Sequence, residues 1–275
     1  MAVAAHCAAA GCCRRICRDK AGCTAETEGA RIVFQYVRSV IFITQMYIAM
    51  PLFGLAFAPW AYFSRKGAYA ACKSYSRYVF WTAGWMVGMR CEVRGTPPDG
   101  EALVAAKHQS FLDIMMIFTA LPSAKFIMKR EILRTPVIGL YARRLGCVAV
   151  DRGKRGKAIE KMVADVHAGR AEPGQLIIYS QGTRVAPGRR MPYKVGSFVL
   201  YEQLSQPCVP VATNVGVLWP KRGMLRKPGV AVVEFLPVIE PGMARDDFME
   251  LLETSVEERS DALMAEAGFK GLPNA

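Results

Sequence analysis

Between Ser39 and Ser64 the chain reads SVIFITQMYIAMPLFGLAFAPWAYFS, 26 residues without a charged side chain. A helix of that length can cross a hydrocarbon core of about 30 Å, so the chain is expected to meet a membrane. Arg38 precedes it and Arg65 and Lys66 follow it, so flanking charge sets no orientation. Pro51 and Pro59 are expected to interrupt the helix. A second stretch, 68–89, sets Lys73, Tyr75, Arg77, Tyr78, Trp81 and Trp85 among apolar residues, the mixture of an interfacial helix. The pattern favours a two-helix anchor lying on one side of the membrane, while length alone also allows a single spanning helix. Ala56–Pro59 resembles a small-x-small cleavage site, but Pro59 and the 38 preceding residues argue for retention of the segment.

The rest of the 275 residues is enough for a sizeable core. The net charge of +13 is uneven: residues 107–194 hold 17 basic and 6 acidic side chains, and residues 231–275 hold 3 and 10. A basic middle beside an apolar anchor points to lipid headgroups or a phosphorylated substrate rather than nucleic acid. Five of nine cysteines fall in the first 23 residues, at Cys7, Cys12, Cys13, Cys17 and Cys23, without metal-ligand spacing or a Cys-x-x-Cys pair. No metal site is expected, and the unpaired count suggests a reducing compartment. Residues 1–30, aperiodic and rich in Ala, Cys and Gly, read as a mobile tail.

From residue 91 onward, strand-like runs alternate with helical ones. CEVRG (91–95), ALVAAKH (102–108), CVAVD (147–151), QLIIYS (175–180), PCVPVATNVG (207–216) and VAVVEFLPVI (230–239) have strand character. FLDIMMIFTAL (111–121) and KRGKAIEKMVADVHAG (154–169) have the helical period, and the acidic 244–267 reads as a closing helix or helix pair. The expected fold is therefore α/β, a mixed sheet flanked by helices behind an N-terminal two-helix membrane anchor. Its parts are a tail over 1–30, membrane-associated helices over 31–90, the α/β domain over 91–240 and an acidic helical segment over 241–275.

KHQSFLD, residues 107–113, sets His108 five residues before Asp113. On one helix the two would diverge by about 140°. With His108 in the loop and Ser110 as N-cap, Asp113 falls in the first turn and its carboxylate can reach back to the imidazole. Such a pair fixes the imidazole tautomer and lets it accept a proton at neutral pH. Ser110-x-x-Asp113 is equally a capping-box pattern that needs no chemistry. No Gly-x-Ser-x-Gly elbow is present, so a dyad here would draw its hydroxyl from a substrate.

KHQSFLD, then GCVAVDRGK (146–154), YSQGTRV (179–185) and CVPVATN (208–214), resemble in order and spacing the four blocks of the glycerophospholipid acyltransferases, closest to the bacterial 1-acyl-sn-glycerol-3-phosphate acyltransferases. The likeness covers roughly residues 35 to 240. It implies transfer of an acyl chain from a thioester, acyl-CoA or acyl-acyl carrier protein, to the sn-2 hydroxyl of lysophosphatidate, with no metal or other cofactor. It implies His108 as general base oriented by Asp113, and Arg152, Gln181, Gly182, Thr183, Arg184 and Lys194 around the acceptor phosphate; backbone N–H groups near the helix start are candidate oxyanion donors. It also implies an inner-membrane enzyme with its site on the cytoplasmic face.

The third block departs from the family's Phe-Pro-Glu-Gly-Thr-Arg: Ser180 stands for Pro and Gln181 for Glu, while Lys107 stands where the family often has Asn. The lost carboxylate leaves room for another lysolipid acceptor, such as a lyso-ornithine lipid. Two rivals remain at this level: a covalent route through Cys147, and a silent membrane protein whose basic patch binds anionic lipid.

Overall fold

A computed structural model of the chain describes residues 9–150, 160, 163–164 and 173–271. Its first helix, α1 (Ala9–Phe63), begins inside the segment read as a tail, where alanines favour helix over coil. It also runs unbroken through Pro51 and Pro59, correcting the expected interruption. Each proline removes one ladder bond, and over a helix this long the remaining ladder carries the axis through. The stretch Gly29–Phe63 is long and apolar enough to cross a membrane, and only 17% of its most apolar window is buried, so it is no core helix.

At Ser64 the chain reverses. Ser64 has an extended backbone and its side chain accepts from the Lys66 N–H, capping α2 (Arg65–Val87). The two helices lie antiparallel: Gln35 donates to the Val87 carbonyl, Arg38 to that of Trp85, and Tyr75 to that of Met46. Ile41, Ile48, Leu52, Leu55, Trp81 and Trp85 stay exposed on the outer faces of this hairpin. α2 ends at Gly88, whose left-handed backbone turns the chain directly into the sheet.

Among the described residues seven strands follow: β1 (Met89–Arg94), β2 (Ala102–Ala106), β3 (Ala124–Lys129), β4 (Val148–Val150), β5 (Gln175–Tyr179), β6 (Cys208–Thr213) and β7 (Gly229–Phe235). They form one sheet in the order β1-β7-β6-β2-β5-β3-β4. Only β6 and β7 pair antiparallel, so β6, β2, β5, β3 and β4 point the same way. The sheet is mixed, as expected. β3, with lysines at both ends of a short run, was not among the expected strands. β7 stops before Pro237, which cannot donate to a ladder, and Ile239 rejoins the sheet in a bridge to Cys208.

Every residue of β2 is buried, as befits a central parallel strand covered on both faces. Ala102, Val104 and Ala106 face a layer made by α1, α2 and α3 (Leu112–Ala120). Leu103 and Ala105 face the opposite layer, built from α5 (Gly196–Leu204) and α7 (Arg245–Glu266). Two further helices, α4 (Pro136–Arg144) and the single turn α6 (Val215–Leu218), complete the layers. The helical pattern over 154–169 falls almost wholly outside the described residues. The first and third sequence blocks follow β2 and β5, and the fourth runs along β6, strands sharing one direction, so the ends of these three blocks lie along one edge of the sheet, where open α/β sheets bind ligands.

Candidate functional site

β2 delivers His108 to that edge and α3 starts four residues later. Asp113 sits in the first turn of α3, fully buried. Its two oxygens divide the work between the two roles that the sequence left open. Oδ2 accepts the backbone N–H groups of Gln109 at 2.8 Å and Ser110 at 2.7 Å, while Ser110 Oγ accepts that of Leu112 at 3.3 Å. Oδ1 lies 2.8 Å from His108 Nδ1. One carboxylate therefore both caps the helix and orients the imidazole. A carboxylate only accepts, so Nδ1 carries a proton, and in the neutral imidazole that leaves the lone pair on Nε2. The Gln109, Ser110 and Leu112 N–H groups are thereby spent, which removes them as the oxyanion donors expected at the helix start.

The imidazole is packed but open, with 13% of its side chain exposed. It stacks on Tyr179, the last residue of β5, with ring centroids 4.0 Å apart and planes 19° apart. The Tyr179 hydroxyl donates to Asp113 Oδ1 at 3.4 Å. Burial, reinforced by the neighbouring Asp113 carboxylate, holds this phenol well above its ordinary range, so it stays a donor. Tyr179 also stacks on Phe126, at 6.3 Å.

Phe126 leads to an apolar cavity of about 210 Å³ between the α1–α2 hairpin, α3, α4 and β3. Phe53, Phe111, Met115, Phe118, Phe126 and Cys147 are among its walls, and Phe111 is three residues from His108. Burial pushes the Cys147 thiol up, so it behaves as a cavity wall rather than a ready nucleophile.

On the other side of His108 runs the segment after β5. Val185 donates its N–H to the His108 carbonyl at 2.8 Å, tying this segment to the histidine. Gly182 adopts φ +70°, and a Cβ there would sit 2.8 Å from Lys194 Nζ. The left-handed turn favours glycine, and a Cβ there would displace the Lys194 side chain that lies over it. Thr183 is half-buried and Arg184 and Lys194 are exposed, so this rim gathers cationic groups beside the histidine. Gln181 is different: it is buried and its amide donates inward to the Met191 carbonyl and to Glu257 Oε1. Arg152 lies outside the described residues. Among the described residues no group of three or more His, Cys, Asp and Glu could hold a metal ion.

Three participants escaped the sequence reading. Tyr179 lay inside a quoted block but was assigned no role, and its only signal was its place at the end of an apolar strand. Glu257, and Tyr193 beside it, carried no signal, because their partners stand far away in the chain.

Residues 90–214 match the family model described as Acyltransferase. Among curated proteins the chain is similar to a 1-acyl-sn-glycerol-3-phosphate acyltransferase of Pseudomonas aeruginosa, 26% identical over 196 residues, covering 70% of this chain and 75% of that one. It is also similar to a mouse 1-acyl-sn-glycerol-3-phosphate acyltransferase alpha, 28% identical over 202 residues, with 71% of each chain covered. Among solved structures, a 1-acyl-sn-glycerophosphate acyltransferase (PlsC) of Thermotoga maritima shares the fold, with a TM-score of 0.71, 19% identity, and coverage of 86% of this chain and 99% of that one.

Proposed function

We propose that the chain, whose residues 90–214 match the family model described as Acyltransferase, moves an acyl chain from a thioester to the sn-2 hydroxyl of lysophosphatidate, yielding phosphatidate. His108 Nε2 takes the hydroxyl proton as the oxygen attacks the thioester carbonyl. The carbonyl then re-forms, the C–S bond breaks, and the imidazolium returns its proton to the departing thiolate. Asp113 fixes the tautomer and stabilises the imidazolium between these steps. The observation that carries this reading is the 2.8 Å contact of Nδ1 with a fully buried Asp113 while the ring itself remains open.

The surroundings support it on both sides. An apolar cavity walled by Phe111 and Phe126 suits an acyl chain. Arg184 and Lys194 offer the acceptor phosphate a guanidinium fork and an ammonium beside the Gly182–Thr183 turn, and Arg152, outside the described residues, is assigned to the same phosphate on the sequence pattern alone. The exposed apolar stripe of the α1–α2 hairpin would hold the site at a membrane surface, where both long-chain substrates gather. The donor is acyl-CoA or acyl-acyl carrier protein, both of which are acidic and suit a basic rim.

Membranes carrying the protein, given labelled lysophosphatidate and each donor in turn, should form labelled phosphatidate with at least one. Failure with both, or equal product from His108→Ala, would discard this reading.

A further inference from the structure

α7 closes the sheet with an acidic helix, yet one face of that helix reaches the site from behind. Ser260 Oγ accepts the Thr213 N–H at the end of β6, the Leu263 carbonyl accepts from Asn214, and Met264 Sδ accepts from Gln109, which follows His108. Glu257, one turn before Ser260, makes the densest contact. Its carboxylate takes Lys107 Nζ at 2.5 Å, Arg190 Nη1 at 2.6 Å, the Tyr193 hydroxyl at 3.1 Å and Gln181 Nε2 at 3.3 Å. The side chains of Lys107 and Glu257 are 1% and 4% exposed, so neither meets substrate. Lys107 immediately precedes the base, and Gln181 immediately precedes the Gly182–Arg184 turn.

We infer that Glu257 is a positioning residue, holding both segments on one carboxylate and so setting the distance between His108 and the phosphate-binding rim. The inference rests on the reaction proposed above. The chemistry of the neighbours requires this set to be chosen together. A buried ammonium at 107 needs a counter-charge, which Glu257 supplies from 150 residues away. A glutamate at 181 would face that carboxylate at 3.3 Å, whereas the amide of Gln181 donates to it. Two of the three departures from the family pattern, those at 107 and 181, thus meet on one group: the carboxylate absent from the third block arrives on α7.

A role confined to stability predicts that a well-packed apolar replacement restores everything. A positioning role predicts that it restores folding and leaves the acceptor badly placed. In the full-length protein, Lys107→Met combined with Glu257→Leu removes both buried charges and keeps the volume filled, so melting should stay near that of the parent. Acceptor KM should rise about ten-fold, because small misplacements near a reacting centre are costly, with donor KM and the shape of the pH profile unchanged. Gln181→Met, which leaves the ion pair intact, should raise acceptor KM alone in the same direction, and it decides the matter if the double variant does not fold. Parental acceptor KM in a folded double variant, or in Gln181→Met, would overturn the inference while leaving the proposed reaction standing. An unaltered protein that acylates no lysophosphatidate would bring down both.

Discussion

Residues 107 and 108 are neighbours in sequence, each is paired with a carboxylate, and the two pairs do opposite things. His108 meets Asp113 five residues on, at 2.8 Å, and its ring keeps 13% exposure with one nitrogen uncommitted. Lys107 meets Glu257 from the far end of the chain, at 2.5 Å, in a site that leaves 1% and 4% of the two side chains exposed. Alternation along the end of β2 turns one side chain toward the substrate edge and the other toward α7. On the proposed reaction, the pair with a lone pair to spare does the chemistry, and on the inference drawn above the pair whose carboxylate is fully taken holds chain segments in place. The contrast is one of access, since the distances barely differ.

The widest separation between the two pairs should appear on removing the imidazole. His108→Ala is expected to lower kcat by about 10⁴-fold, at the upper end of what a general base contributes, with a smaller effect on melting because Asp113 keeps the Gln109, Ser110 and Tyr179 donors. Asp113→Asn should follow at about 10²- to 10³-fold. The amide oxygen will keep the Gln109 and Ser110 N–H groups, so the NH₂ turns to His108 Nδ1 and forces the proton onto Nε2, the wrong tautomer for a base. Single-turnover rates on folded protein measure both. A variant at 113 as active as the parent would show that capping was the carboxylate's whole role.

The converse change should move stability first. Glu257→Leu alone strands the Lys107 ammonium in an apolar site, a loss of about 3–5 kcal/mol, or a drop in Tm on the order of 10 °C for a domain of this size. Thermal melting followed by circular dichroism reads it directly. A melting point unchanged in Glu257→Leu would mean that Lys107 escapes to water, and the distinction between the pairs would fail.

The same contrast explains what could be read in advance. The His108–Asp113 pair was legible because its partners share one strand-loop-helix corner, where residue spacing translates into geometry. The α/β class and the closing helix at 245–266 were legible because apolar periodicity is local too. Gln181 and Lys107 stood out only as departures from a family pattern, and their reason is a long-range contact that no local rule encodes. β3 was missed because a strand buried by its neighbours needs no alternation of its own, and the helix through Pro51 and Pro59 because local breaker rules give way to a long continuous ladder.

The smallest effect tests whether the dyad acts on the substrate directly. Cys147 lines the cavity near Phe126, so an acyl-thioester intermediate on its sulfur is geometrically conceivable. Chemistry argues otherwise. Burial raises its thiol, with a backbone hydrogen bond from Phe126 and the charge of Lys125 only partly offsetting, so the thiolate populates only as pH climbs beyond the range of about 8.5 usual for a free thiol. At neutral pH the sulfur is a protonated, apolar wall. Cys147→Ala removes one small buried group and should leave kcat within about two-fold of the parent, with at most about 1 kcal/mol lost from packing. If a covalent route operated, the same variant would lose turnover altogether, and the parent's activity would keep climbing at alkaline pH as thiolate formed. A pH–rate profile of both proteins on labelled lysophosphatidate therefore separates a histidine that activates the acceptor hydroxyl from one that merely activates a cysteine.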